Sequence, residues 1–146
     1  MPHLARLLIS ALFIYTSHVG GISAQSMPRA ELQVGLHKIT AEVASNQAER
    51  QLGLMNRNFL PSDEGMLFIF ESTATHCFWM RNTKIPLSIA FIDQSGEIVN
   101  IEEMQAMTET NHCPSKPIRF ALEMNQAWFS KKDILPGHTV SGLPKR

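Results

Sequence analysis

The spacing of apolar and polar positions changes several times along this chain, and each change marks an element. "KITAEVA" (38–44) alternates, with Ile39, Ala41 and Val43 on one face and Lys38, Thr40 and Glu42 on the other, the period of a half-buried strand. "NQAERQLGLM" (46–55) shifts to helical spacing: Ala48, Leu52 and Met55 fall on one side, and Asn46 with Glu49 three residues on forms a capping pattern. Gly53 weakens that helix and marks a close approach. "GMLFIF" (65–70) is a continuous apolar run after the turn-forming "LPSDEG", which predicts a strand covered on both faces. "CFWMRN" (77–82) predicts another strand, and "LSIAFIDQSGEIVNIEE" (87–103) a hairpin turning at Gln94, Ser95 and Gly96.

In "IRFALEM" (118–124) the alternation puts Ile118, Phe120, Leu122 and Met124 inward and Arg119 and Glu123 outward. Asn125 is placed to cap a second short helix through "QAWFSKK", and "HTVSGL" after Pro136-Gly137 predicts a last strand. Six or seven short strands with two short helices predict a mainly β fold, a small antiparallel β-sandwich or barrel-like domain. Its helices are too few and too short for a regular alternation of strands and crossover helices. Residues 37–146 read as one domain and the polar stretch over 25–36, with its proline, as a flexible leader.

The first 24 residues carry the order of an export signal: a basic start (His3, Arg6), the apolar run "LLISALFIY", then small residues ending at Ala24 before Gln25. A membrane helix needs about 20 apolar residues, and Thr16, Ser17 and His18 interrupt this run early. Cleavage near Ala24 places the product in the periplasm or outside the cell, with an uncleaved N-terminal anchor as the alternative. No cysteine follows the apolar run, which argues against a lipoprotein anchor. Of the 13 Lys and Arg residues only Arg6 lies in the signal, so 12 basic side chains face 13 acidic ones afterwards. Such a near-neutral chain, with its basic residues scattered, excludes nucleic acid and anionic membrane as partners, and no later stretch is long enough to span a bilayer.

Two adjacent pairs, His76-Cys77 and His112-Cys113, raise a tetrahedral zinc or copper site. In a strand, neighbouring side chains point to opposite faces, so one metal cannot take both members of a pair without a bulge. Two cysteines in an exported chain favour a Cys77–Cys113 disulfide instead, closing a loop of about 36 residues, and no metal or other cofactor is expected. The methionines fall on inward faces, where core packing accounts for them.

Carboxylates offer the enzymatic reading. Glu49, Asp63, Glu64, Asp93 and Glu123 sit at element ends or on expected solvent faces, and two of them facing one another would suit hydrolysis of a glycosidic bond in a cell wall or polysaccharide. There is no Gly-x-Ser-x-Gly elbow, no His-Glu-x-x-His and no phosphate-binding glycine loop. In "CFWMRNT", Cys77, Trp79 and Arg81 share one face while Phe78, Met80 and Asn82 share the other, and the stretch turns polar at its end. Asn82 and Thr83 are suited to closing a turn before Ile85-Pro86. The plain structural reading is a buried Trp79 beside a well-bonded turn. The functional one is a shallow pocket floored by Trp79 and rimmed by Arg81, Asn82 and Thr83, fit for a sugar or small polar ligand.

In order, "ERQLGLM", "LPSDEGMLFIF", "FWMRNTKIPLSIAFID", "IVNIEEM", "HCPSKPIRFALEMNQAWF" and "ILPGHTV" resemble the family catalogued as domain of unknown function 192. The resemblance runs from about Ile39 to Val140 and implies a compact, mostly β domain, often exported, with no established activity. This chain departs from it at Asn56, where the family often has an aromatic residue, and at Ala127, where it often has glycine. The first departure bears on any pocket near Arg57, the second on the start of the last helix. Together these readings describe an exported binding or accessory module of the cell envelope, whose partner is a small polar ligand, a glycan or an envelope protein. The candidate ligand-binding residues are Trp79, Arg81, Asn82, Thr83, Glu64, Asp93, Glu123 and Arg57, with no catalytic residue assigned. The alternative is the carboxylate hydrolase.

Overall fold

A computed structural model describes residues 26–145, and the stretch 1–24 read from the sequence as an export signal lies outside them. The chain runs β1 (Arg29–Val34), β2 (His37–Ala44), α1 (Gln47–Leu52), β3 (Glu64–Ala74), β4 (Leu87–Ile92), β5 (Ile98–Met104), β6 (Ile118–Asn125) and β7 (Val140–Ser141). All seven strands belong to one sheet in the order β5-β4-β6-β3-β2-β1-β7. Neighbours are antiparallel except β2 and β3, which run parallel because the chain crosses back through α1. The sheet curls until its two edges touch: Glu97 bridges Thr139, Ile98 N–H donates to His138 O at 2.9 Å and Val140 N–H to Gly96 O at 2.8 Å. The fold is therefore barrel-like and not a sandwich of two sheets.

Both faces of the central strands are buried. Inside the curl lie Leu67, Ile69, Ala90, Ile92, Leu122 and Met124, packed with Trp128 and Phe129. Outside it, Met66, Phe68, Leu87, Ile89 and Ala121 are covered by Leu54, Leu60, Met80, Ile85 and Met104. This double covering explains why "GMLFIF" is apolar throughout, since alternate residues enter different cores.

Four expectations are corrected. Arg29–Val34 is no loose leader: it pairs along its length with β2, with Leu32 and Val34 buried. "CFWMRN" is not a strand of the sheet, because only Phe78 makes a bridge, to His112. One α-helix, α1, is present among the described residues; "QAWFSKK" forms a turn and a single 3-10 turn over Ser130–Lys132. Asn125 does not cap it but donates through Nδ2 to the carbonyls of Leu60 and Pro61, each at 3.0 Å. Finally, Glu123 does not face solvent: it is 5% exposed, because the outer face of β6 is itself covered.

The capping pattern at α1 is realised. Glu49 N–H donates to Asn46 Oδ1 at 2.9 Å and Asn46 N–H to Glu49 Oε2 at 3.1 Å. Backbone donors at Ser45 and Asn46 hold the Glu49 carboxyl below its ordinary range. The helix stops at Gly53, whose φ of 48° lies in the left-handed region. Ala127 also has a positive φ, 61°, held there because its N–H donates to Ser88 Oγ at 2.8 Å and Glu103 Oε2 at 3.1 Å. A side chain at that angle is strained, so Ala127→Gly is expected to stabilise the fold by about 1 kcal/mol, read as a raised Tm. An unchanged or lowered Tm would contradict the strain.

Candidate functional site

The segment 77–83 crosses the outer face as an extended strap, tied at each step. The Cys77 and Cys113 sulfurs stand at disulfide distance, 2.13 Å, as the cysteine count suggests. Phe78 and His112 exchange both backbone hydrogen bonds at 2.8 Å, and Met80 N–H donates to Thr108 O at 3.0 Å. The strap closes in a turn with Thr83 N–H on Met80 O at 3.1 Å and Asn82 left-handed at φ 58°. Asparagine tolerates that angle. The Asn82 carbonyl accepts from Asn56 N–H at 2.8 Å, fixing the strap to the loop after α1.

Over residues 77–81 the expected alternation holds, while Asn82, expected on the inner face with Phe78 and Met80, is exposed. Phe78 and Met80 point toward the outer core, where the Phe78 ring meets Phe68 edge-on with centroids 4.9 Å apart. Cys77, Trp79 and Arg81 point outward. Trp79 is 45% exposed, so it is not the buried tryptophan of the purely structural reading.

Between this strap and α1 lies a cleft of about 420 Å³. Gln47, Arg50 and Gln51 form its helical wall, Phe78 and Trp79 the opposite wall, and Phe68 and Phe70 its floor. It continues into a narrow chamber of about 40 Å³, where Leu54, Thr83 and Glu123 come together. Arg50 does not reach into it as a free charge: its Nη1 donates to Ser45 O at 2.8 Å and Ile69 O at 2.9 Å, and its guanidinium lies 5.5 Å from the centre of the Phe70 ring.

Glu123 is the unusual group. It stands on a central strand opposite Met66 of β3 and Ile89 of β4, both fully buried. No donor among the described residues reaches its carboxyl, and burial alone pushes it up to about 8. At neutral pH it is a protonated acid, and it lines the chamber.

Of the residues singled out from sequence, the fold gathers Trp79, Thr83 and Glu123 at this cleft. Arg81 and Asn82 adjoin it without lining it. The Arg81 guanidinium stacks over the Trp79 ring at 4.4 Å and donates through Nε to Glu109 at 2.8 Å. The others are engaged elsewhere: Arg57 makes a bidentate pair with Glu42 at 2.7 and 2.5 Å, Glu64 pairs with Arg29, and Asp93 Oδ1 closes the β4–β5 turn by accepting from Ser95 and Glu97 N–H at 2.8 and 3.0 Å. His76 stacks on Phe70 with centroids 3.7 Å apart and His112 Nδ1 lies 2.7 Å from Glu102.

The carboxylates proposed for glycosidic hydrolysis do not converge on the cleft, which is lined by Glu123 alone among them. Gln47, Arg50, Gln51, Phe68 and Phe78 line this cleft and are not among the residues singled out from the sequence. The first three fall on one stripe of α1 at helical spacing, a signal that was present. A larger depression, about 690 Å³, lies beside Phe59, Asp63 and Trp128. Three of its polar groups are tied to one another, with Trp128 Nε1 donating to Asp63 at 3.0 Å and Lys132 Nζ at 3.3 Å from the same oxygen.

Fold and cleft thus define a small curled-sheet domain with an aromatic groove ending in one buried acid. The profile of the uncharacterised conserved family known as domain of unknown function 192 matches residues 29–142, and the chain belongs to that family. It is similar to a crystal structure of a candidate transcription regulator from Sinorhizobium meliloti, with 29% identity over 82% of this chain and 98% of that one and a TM-score of 0.80. It is also similar to a protein of unknown function from Novosphingobium aromaticivorans, with 32% identity over 83% and 89% and a TM-score of 0.77. No curated protein matches the chain.

Proposed function

We propose that this protein is an exported binding module of the cell envelope, and that its ligand is a small polar molecule or glycan fragment seated in the cleft between α1 and the strap. The observation that carries this reading is Glu123, an acid 5% exposed on a covered sheet face that lines the chamber beside an exposed tryptophan. Among the described residues no buried side-chain oxygen or nitrogen is left unpaired, so the Glu123 carboxyl keeps contact with solvent at the chamber, and a bound group there replaces that solvent with a fixed partner. The signal-like first 24 residues and the cysteine pair support work in an oxidising compartment. Regulation of transcription, suggested by one relative's description, finds no support in a chain of net charge +0 with dispersed basic residues.

A thermal-shift screen of the purified mature protein against sugars, cell-wall fragments and small amines tests the reading, since a ligand of the native state raises Tm by mass action. The control is Gln51→Trp, which fills the cleft from an exposed position on α1. A hit is expected to raise the Tm of the wild type and to leave Gln51→Trp unmoved. A screen without hits, or a hit that stabilises both equally, overturns the proposal.

A further inference from the structure

The geometry points to a more specific ligand class: we propose that the chamber receives a primary ammonium group carried on a slender alkyl stem, paired with the Glu123 carboxylate and flanked by Phe68, Phe78 and Trp79. This inference rests on the cleft being a ligand site and names what enters it. Three features carry it. The chamber, at about 40 Å³, admits a head group of ammonium size and excludes a sugar ring, while the outer 420 Å³ holds the rest of the molecule. Its only acidic residue is Glu123, 5% exposed and lining the chamber together with the three aromatic side chains. Its surroundings are aromatic, and aromatic rings near a desolvated cation add attraction through their quadrupoles.

A cation from the protein itself does not fill this role. Of the titratable side chains packed around Glu123, only Arg50 lines the chamber, and both hydrogen bonds of its Nη1 go to backbone carbonyls. Thr83 and Leu54 contribute no charge, and the facing residues of β3 and β4 are Met66 and Ile89. Seating the ammonium moves one proton: the carboxyl releases its proton to solvent, the ammonium keeps its own, and the pair formed is neutral. With the carboxyl titrating near 8, that release weakens binding at pH 7 only about tenfold. A carboxylate already ionised in the free protein would leave an uncompensated charge in the core, and the neutral acid avoids this.

Titration of the 15N-labelled protein with n-butylammonium and, separately, with its neutral counterpart n-butanol tests the inference through amide chemical shifts. Butylammonium is expected to shift the amides of Leu54, Thr83 and Glu123, to bind at least tenfold more tightly than butanol, and to bind more tightly as pH rises from 6 to 8. Glu123→Gln keeps the shape of the acid but cannot ionise, and is expected to lose at least tenfold in affinity for butylammonium. Equal affinity for both compounds at those amides refutes the ammonium class and leaves the cleft a binding site for neutral groups. Shifts confined to other parts of the protein, or undiminished butylammonium binding by Glu123→Gln, refute the inference as well. A sugar that meanwhile stabilises the wild type and not Gln51→Trp preserves the broader binding reading.

Discussion

Between pH 5 and pH 8 the wild-type protein is expected to lose about 3 to 4 kcal/mol of stability that the Glu123→Gln variant keeps. The sign follows from the proton balance. Folding moves Glu123 from an ordinary carboxyl value of 4.5 to about 8, so across that interval the folded chain holds a proton that the unfolded chain has released. Stability is therefore fully present below about 4.5, falls as pH rises, and levels off above about 8. The side-chain amide that Glu123→Gln introduces does not titrate, so the variant lacks the slope. Glu42, held low by its hydrogen bonds to Arg57, and Asp63, held low by Trp128, act in the opposite sense at acid pH, but both proteins retain them and the difference cancels them. Urea unfolding at pH 5, 6, 7 and 8 measures the effect, and parallel curves for the two proteins would falsify the protonated-acid assignment.

The second large effect concerns the strap. Cys77→Ser with Cys113→Ser is expected to destabilise the protein by about 4 kcal/mol in the chain-entropy account, because the two residues close a loop with a sequence separation of 36. Beyond the global loss, the strap is left with the Phe78–His112 bridge and a few single backbone bonds, so the cleft wall carrying Trp79 loosens before the sheet does. Treating the wild type with a thiol reductant should reproduce the lowered urea midpoint of the double variant. Coincident midpoints for reduced and untreated wild type show that the bond was never closed.

The elements that the sequence made legible are those whose period is imposed by one local environment. β2 alternates because one of its faces is less covered; the β4–β5 hairpin declares itself through Asp93, Ser95 and Gly96; the α1 cap is written in Asn46 and Glu49. β1 was hard to see because its inward set has only two large apolar residues, Leu32 and Val34, between Arg29, Glu31 and Gln33. The strap misleads in the opposite direction: Phe78 and Met80 pack into a core as strand residues do, yet the backbone bonds there go to loop residues 108 and 112.

Glu123 fails for the same kind of reason. Alternation within β6 tells which residues share a face and is silent on whether another layer covers the polar one. That layer consists of Leu54, Thr83 and neighbours from irregular segments, whose docking leaves no periodic trace. Trp79 is more exposed than a core tryptophan, because the strap carries it on its outward side next to the cleft.

The contact between the sheet's two ends bears on the order in which the chain folds. Gln33 and Val34 of β1 take Ser141 and Val140 of β7 as partners, and the Ser141 hydroxyl reaches Gln33 O across a sequence separation of 108. The β1–β2 hairpin needs only local chain, whereas its outer edge stays open until the last strand is in place, when Thr139 and Val140 also close on Glu97 and Gly96 beside β5. Such non-local closure is slow. A ribosome releasing this chain from its N-terminus thus exposes a pairing edge throughout synthesis, and loss of a handful of residues near position 140 would leave two adhesive edges at once, a route to self-association rather than simple unfolding.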